Sequence, residues 1–139
     1  MTTSKGEFRW PVRVYYEDTD AGGVVYYANY LKFMERARTE WLRALGFEQD
    51  VLREELGMLF AVRAVDVQYL APARFNEALE VTATLREMRG ASLVFVQQVR
   101  RSDTILCEGI VKIVCLDGAG FKPRPLPRAL QEALAKGTE

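Results

Sequence analysis

The sequence predicts an α+β domain in which one long helix lies across a five-stranded antiparallel sheet. Two observations support this architecture. Apolar residues repeat at three- and four-residue spacing from about Tyr27 to Leu45, which is typical of an amphipathic helix. One segment before this helix and four segments after it have the composition and patterning of strands. Because the apolar stripe of the helix is wide, the helix needs a cover, and the strands can supply it.

The first half of the chain contains one strand and two helices. Phe8 to Tyr16 is rich in aromatic and β-branched residues and predicts the first strand. Glu17 to Gly23 is a polar, glycine-containing loop that leads toward the long helix. Gly46 ends this helix, and we expect a short second helix from about Glu48 to Glu55.

The second half is built mainly from strands. In the second of its four strands, apolar and polar residues alternate, which predicts one buried and one solvent-exposed face. The fourth strand is apolar on both faces, so we expect it inside the sheet or at an interface. Short connections between the last three strands predict antiparallel hairpins, whereas Pro72 separates the first two. The predicted strands are Leu59 to Leu70, Ala78 to Met88, Ser92 to Arg101 and Thr104 to Leu116, and Arg128 to Lys136 can form a final short helix.

Composition is that of an ordinary globular protein. The 139 residues fit one domain, which we place at residues 1–139, with a core of about residues 8–127 and a short C-terminal extension. A net charge of zero gives no support for nucleic-acid binding and leaves self-association open. No apolar run is long enough for a membrane span, and the first ten residues lack the apolar core of a signal peptide. We therefore expect a cytoplasmic protein.

The sequence contains no histidine. This excludes Ser-His-Asp and Cys-His catalysis and any metal site that uses histidine. Cys107 and Cys115 fall on one predicted strand, about 26 Å apart, which is too far for a disulfide. Without histidine, two distant cysteines also argue against a zinc site. We expect no metal, and the chemistry must come from carboxylates, hydroxyls, amines or backbone groups.

The loop and the start of the long helix carry a specific motif. Residues 15–30 read YYEDTDAGGVVYYANY, which resembles the signature of the 4-hydroxybenzoyl-CoA thioesterase family and is most similar to its branch associated with the bacterial Tol-Pal envelope system. ERARTE at 35–40, YLAPAR at 69–74 and MRGASLVF at 88–95 fit the same branch. The resemblance implies the hotdog fold, in which a five-stranded antiparallel sheet wraps a long central helix. It also implies homo-oligomers, dimers or a homotetramer built as a dimer of dimers, with active sites between subunits.

The resemblance further implies an acyl-CoA thioesterase, which hydrolyses the thioester to free acid and CoA and needs no cofactor, since CoA is part of the substrate. It places the catalytic carboxylate at Asp20, as nucleophile or general base, and the oxyanion donor at the backbone N–H of Tyr27. Members of the Tol-Pal branch often carry histidine where this chain has Tyr27, so an imidazole-assisted mechanism is not available here. Further residues expected at the substrate are Gly22, Gly23, Val24, Arg89, Ser92, Lys122 and Arg124.

Several alternatives stand beside these assignments. The alternative role of Asp20 is to cap the turn or the helix, and the alternative for Arg89, Ser92, Lys122 and Arg124 is a solvated surface position. We interpret Asp18 as a structural hydrogen-bonding residue, Glu35 as a member of a surface ion pair with Arg36 or Arg38, and the Tyr26 and Tyr27 side chains as packing groups. A non-catalytic scaffold that binds an acyl carrier protein or an envelope-linked partner is the alternative function. Peripheral association with the inner membrane is the alternative to a purely cytoplasmic location. A hotdog hydratase is disfavoured because such enzymes typically pair histidine with an acidic residue.

Overall fold

The predicted order of elements is confirmed in the computed structural model, which describes residues 6–138. Residues 1–5 and 139, including the start of the segment judged to lack a signal-peptide core, lie outside the described residues. The five strands form one antiparallel sheet in the order β1-β3-β4-β5-β2. The elements are β1 (Phe8–Arg13), α1 (Asn29–Ala44), α2 (Gln49–Leu56), β2 (Met58–Tyr69), β3 (Ala78–Arg89), β4 (Ser92–Arg101), β5 (Thr104–Asp117) and α3 (Arg128–Thr138).

The core lies between α1 and one face of the sheet. Phe33, Met34 and Ala37 of α1 are completely buried, as their helical spacing predicts. Trp41, one turn later, packs edge-on against Phe95 of β4, with ring centroids 5.7 Å apart. Burying a large apolar side chain contributes about 1.5–3 kcal/mol, so this stripe is the main attachment of α1 to the sheet.

Most boundaries agree with the sequence expectation to within two residues, and three features differ more. β1 ends at Arg13 rather than at Tyr16, because residues 16–18 turn into a short 3-10 helix. Thr82 was expected on the solvent-exposed face of β3 but is 2% exposed, and its Oγ1 accepts the Gln98 N–H at 3.1 Å. The core also continues beyond residue 127, where we expected an extension, because Leu130 and Leu134 of α3 are fully buried in it.

The two edges of the sheet differ in how they face solvent. β1 is six residues long and contains Pro11, which protects an edge because it has no N–H to offer a further strand. β2 is twelve residues long, and most of it is exposed, including the apolar side chains of Val62 and Val65.

β5 lies inside the sheet, between β4 and β2, as predicted. Within residues 6–138, no helix is both long and apolar enough to cross a bilayer.

Candidate active site

Asp20 lies in a tight loop between β1 and α1. The Asp20 N–H donates to the Val24 carbonyl at 2.9 Å, and the Gly23 N–H donates to the Asp20 carbonyl at 3.0 Å. The carboxylate Oδ1 accepts the Gly22 N–H at 2.9 Å. Gly23 has a φ of 77°, a conformation that favours glycine. The loop therefore holds Asp20 in one orientation while its side chain stays exposed to solvent.

Asp18, two residues earlier, has the structural role predicted for it. Its side chain is buried, and its Oδ2 accepts the Tyr15 N–H at 2.8 Å. Asn29, the first residue of α1, donates from Nδ2 to the Asp18 carbonyl at 3.1 Å and to Oδ1 at 3.4 Å. We call this arrangement the Asp18–Asn29 clamp. It joins the loop to the start of α1, and the sequence motif contained Asn29 without revealing this role.

The backbone just before α1 leaves more than one donor free among the described residues, since neither Tyr27 nor Ala28 has an acceptor for its N–H. The Tyr26 N–H donates to the Asp18 carbonyl at 3.0 Å, and the Asn29 N–H donates to the Tyr26 carbonyl at 2.8 Å. Within residues 6–138, the Tyr27 N–H between them has no hydrogen-bond acceptor. Backbone N–H groups at the start of a helix carry partial positive charge and suit an anion. The Tyr27 N–H is therefore available to a ligand oxygen.

A short segment before β3 fixes the other side of the loop. The Val25 N–H donates to the Ala73 carbonyl at 2.8 Å, and Val24 forms a bridge with Arg74. The Tyr30 hydroxyl accepts the Ala73 N–H at 2.9 Å. Burial raises the pKa of Tyr30, so this phenol stays protonated. The motif at residues 69–74 thus positions the loop against α1.

Aromatic side chains form one wall beside the Tyr27 N–H. The ring centroids of Tyr27 and Tyr69 are 6.0 Å apart, and those of Tyr26 and Tyr27 are 4.7 Å apart. Tyr26 and Tyr27 were expected to be packing groups. They pack on each other, and Tyr27 also packs on Tyr69, but both remain about half exposed. Val25, Tyr27, Tyr30, Tyr69, Leu70, Ala71 and Pro72 line an open cavity of about 280 Å³.

The basic residues predicted to contact CoA lie at the other end of the sheet. β3 begins at Ala78, close to the loop, and its twelve residues place Arg89 roughly 36 Å away at its far end. Ser92 is directly paired with Arg89. Lys122 and Arg124 lie near the end of β5, where Arg124 Nη1 donates to the Leu56 carbonyl at 2.7 Å. One chain therefore does not bring these residues to Asp20.

The interpretation of Glu35 as part of a surface ion pair is wrong for this chain. Glu35 is exposed, and none of the ion pairs among the described residues includes it. Arg38, its expected partner, is 8% exposed and donates from Nη1 to Gln97 Oε1 at 2.8 Å. Across residues 6–138, no cluster of three or more Cys, Asp or Glu side chains is placed to hold a metal ion.

Comparisons with known proteins show which family the chain is similar to. Residues 14–134 match the family model of the thioesterase-like superfamily. The chain is 53% identical to the acyl-CoA thioester hydrolase YbgC of Escherichia coli O6:H1 over 88% of this chain and 92% of the relative. It is 44% identical to the acyl-CoA thioesterase YbgC of Haemophilus influenzae, over 91% and 93%. A probable thioesterase from Bartonella henselae superposes with a TM-score of 0.84 at 32% identity, over 87% of this chain and 99% of that one.

Proposed function

This chain belongs to the thioesterase-like superfamily and is an acyl-CoA thioesterase of the hotdog fold, and we propose that the Asp20 carboxylate and the Tyr27 N–H carry its chemistry. The observation that carries this proposal is the set of hydrogen bonds that ties the loop of Asp20 to the start of α1. The Asp18–Asn29 clamp ties the loop that presents the Asp20 carboxylate to the helix start that presents the unpaired Tyr27 N–H. A carboxylate and an oxyanion donor are the two groups that thioester hydrolysis requires.

The thioester carbonyl would bind with its oxygen at the Tyr27 N–H. In one route, an Asp20 oxygen attacks the carbonyl carbon, the carbon–sulfur bond breaks, and CoA leaves as the thiolate. Water then hydrolyses the mixed anhydride and regenerates the carboxylate. In the other route, Asp20 takes a proton from a water that attacks the carbonyl directly. In both routes, negative charge grows on the carbonyl oxygen, where one well-placed donor is worth about 10²–10³ in kcat.

The exposed edge strand supports a two-fold dimer. A long strand with unpaired backbone groups and exposed apolar side chains is a template for pairing with another strand, and β2 has these properties. A two-fold axis through the middle of β2 would pair β2 of one chain with β2 of a second chain in the antiparallel direction. The Met58 end of the partner's β2 would then lie beside Tyr69, which itself contacts Tyr27.

This arrangement would also bring the two ends of the sheet together. Met58 pairs with Asp117, so the Met58 end of the sheet is the end that carries the basic residues. Arg89, Ser92, Lys122 and Arg124 of the partner subunit would then lie at the same end of the dimer as Asp20. Arginine and lysine suit the phosphates of CoA. We therefore propose that each substrate site is shared between two chains, with the acyl group at Asp20 and the CoA phosphates reaching the partner.

Replacement of Asp20 tests the catalytic assignment. We expect Asp20→Asn to lower kcat at least about 10²-fold with little change in KM, because the amide can neither attack nor accept the proton. Asp103→Asn, at an exposed hairpin, is the matched control and should behave as wild type. Wild-type kcat in Asp20→Asn would refute the assignment. After a single turnover in ¹⁸O-water, label in the Asp20 carboxylate would identify the anhydride route.

Mixed dimers test whether the sites are shared. Asp20→Ala chains and Arg89→Ala/Arg124→Ala chains should each be inactive as homodimers. A dimer with one chain of each kind would contain one intact site, so an equimolar mixture should recover up to about a quarter of wild-type activity for a two-fold interface. No recovery after subunit exchange would refute the shared site. Association with an acyl carrier protein or the inner-membrane envelope system stays a prediction from the family resemblance, and the cytoplasmic location stays a prediction from the sequence.

A further inference from the structure

A second cavity lies away from Asp20, between α1, α2 and the strands β2, β4 and β5. Its volume is about 290 Å³, which is close to the lower end of the range for small-molecule sites. Its wall is mainly apolar, and α1 contributes two charged residues to it. The apolar part includes Leu42, Phe60, Leu93, Phe95 and Ile113.

Arg38 gives this apolar cavity a cationic group. Its side chain is 8% exposed, and none of the ion pairs among residues 6–138 includes it. One nitrogen, Nη1, donates to Gln97 Oε1 at 2.8 Å. In the described part of the chain, no fully buried side-chain nitrogen lacks a partner. The other Arg38 N–H groups therefore have access to the cavity that the residue lines.

The orientation of Arg38 is fixed by its neighbour. Gln97 is completely buried, and its Nε2 donates to the Met34 carbonyl at 2.9 Å and to the Thr82 carbonyl at 3.3 Å. These bonds set the amide so that its oxygen faces Arg38. The guanidinium is thus held in place by a neutral group and forms no ion pair, and the nearby Glu35 carboxylate only partly offsets the effect of burial on its pKa. A buried cation in this state is costly, and burial lowers the pKa of Arg38.

Glu35 lies one helical turn before Arg38 and lines the same cavity. It is exposed, whereas Arg38 is buried, so its carboxylate is at the mouth and the guanidinium is inside. The two do not form an ion pair in this structure. Glu35 would repel an entering anion. Removal of the Glu35 charge should therefore strengthen anion binding, whereas removal of the Arg38 charge should weaken it.

We propose that this cavity binds a carboxylate at the end of an apolar chain, with the carboxylate on Arg38 and the chain against Leu42 and Phe95. Two sources have this chemistry. One is a free carboxylic acid. The other is the terminal carboxylate of a dicarboxylic acyl group whose thioester lies at the Tyr27 N–H. Its chain would approach Arg38 from the Tyr27 side rather than along Leu42, and this source rests on the proposed function. Arg38 is eleven residues beyond Tyr27, or about 16 Å along a helix, a distance that an extended medium-chain acyl group can span.

Calorimetry with decanoate and decanol tests the site without any catalysis. Wild-type protein should bind decanoate at least about tenfold more tightly than decanol, the ratio that ~1.4 kcal/mol of charge-assisted hydrogen bonding gives. Arg38→Met should remove this preference, whereas Arg36→Met, at an exposed arginine of the same helix, should keep it. Glu35→Gln should tighten decanoate binding. Arg38→Met leaves the buried Gln97 Oε1 without its donor. If this variant does not fold, the double variant Arg38→Met/Gln97→Leu, which also removes that oxygen, takes its place in the comparison.

Equal affinity for decanoate and decanol, absence of binding of both, or a preference that survives in Arg38→Met would each overturn the proposal. Weaker decanoate binding in Glu35→Gln would also overturn it.

Hydrolysis then separates the two sources of the carboxylate, the free acid and the acyl terminus. A higher kcat/KM for decanedioyl-CoA than for decanoyl-CoA that Arg38→Met abolishes would identify the acyl terminus, and equal values with intact decanoate binding would identify the free acid. Decanoate binding that persists in inactive Asp20→Asn would show that the cavity and the catalytic group are separate.

Discussion

Replacement of Asn29 by alanine tests how the loop that carries Asp20 is attached to α1. Asn29 is 8% exposed, and its Nδ2 makes one good bond, 3.1 Å to the Asp18 carbonyl, and one weak bond, 3.4 Å to Oδ1. The Asp18 carbonyl keeps the Tyr26 N–H at 3.0 Å, so alanine does not leave it unpaired. At about 1 kcal/mol net per hydrogen bond, we expect the free energy of unfolding to fall by about 1–2 kcal/mol.

The same change should affect catalysis more than stability. The Asp18–Asn29 clamp holds the loop against the helix start, and Asp20 and Tyr27 both lie within the segment that it closes. Misplacement of a catalytic group by about 1 Å can cost 10²-fold in rate. We therefore expect Asn29→Ala to lower kcat by about 10- to 100-fold with nearly unchanged KM, because the clamp does not reach the predicted CoA-binding end.

Asn29→Asp separates the hydrogen bond from the shape of the side chain. It keeps the shape but replaces a donor by a carboxylate next to that of Asp18. Like charges at a buried site repel each other, so this variant should be less stable than Asn29→Ala near pH 7. Proton uptake by the introduced carboxyl group restores a donor. The deficit relative to Asn29→Ala should therefore shrink as the pH falls.

Urea unfolding followed by tryptophan fluorescence measures these stabilities, and steady-state kinetics measures kcat and KM. Gln49→Ala is a suitable control, because Gln49 Nε2 also donates to a side chain, Thr39 Oγ1 at 3.1 Å, but at an exposed position on α2. It should cost at most about 0.5 kcal/mol. If Asn29→Ala has the same kcat as Gln49→Ala, or if Asn29→Asp is as stable as Asn29→Ala at neutral pH, the clamp does not have the role assigned to it.

Two further predictions concern the core. Burial raises the pKa of Cys107 to about 12, whereas an ordinary thiol titrates near pH 9. Between about pH 9 and pH 12, the thiol is therefore protonated in the folded chain but largely deprotonated in the unfolded chain, which binds fewer protons. The free energy of unfolding should therefore fall as the pH rises through this window, and Cys107→Ala should have a shallower slope in urea titrations; an unchanged slope would contradict this. Leu134→Ala, at a fully buried position of α3, should cost about 2–5 kcal/mol, while exposed Glu132→Ala should cost little; equal losses would show that α3 is not part of the core.

Most of the fold could be predicted because its elements carry local patterns. The limits of β4 match the expectation, and α2 and β2 are each displaced by one residue. The errors arise where a single contact overrides a pattern. The buried Asp18 carboxylate binds the Tyr15 N–H, and β1 ends at Arg13, before this 3-10 turn. The contribution of α3 was missed because Leu130 and Leu134 are the only large apolar side chains in a short segment.

The loop that carries Asp20 could be located from the sequence because its residues are contiguous, whereas the second cavity could not. The cavity depends on a contact between α1 and β4, 59 residues apart along the chain. One signal was nevertheless present: Arg38 is four residues after Met34 and three before Trp41, which is the spacing of the buried stripe. A charged residue at that spacing predicts a buried cation that needs a partner. We assigned it to the surface because arginine is rarely buried.

The exposure of Asp20 bears on how many chains a complete site requires. In one chain, the carboxylate has a single backbone donor and is otherwise open to solvent. A hydrated carboxylate reacts slowly, and catalysis gains when substrate and protein replace the water around it. Without histidine, no neighbouring imidazole can activate the site instead. The missing cover would have to come from the acyl-CoA itself and from a second chain at the β2 edge. If mixed dimers recover activity, the site is shared across that edge; if they do not, substrate alone must desolvate Asp20.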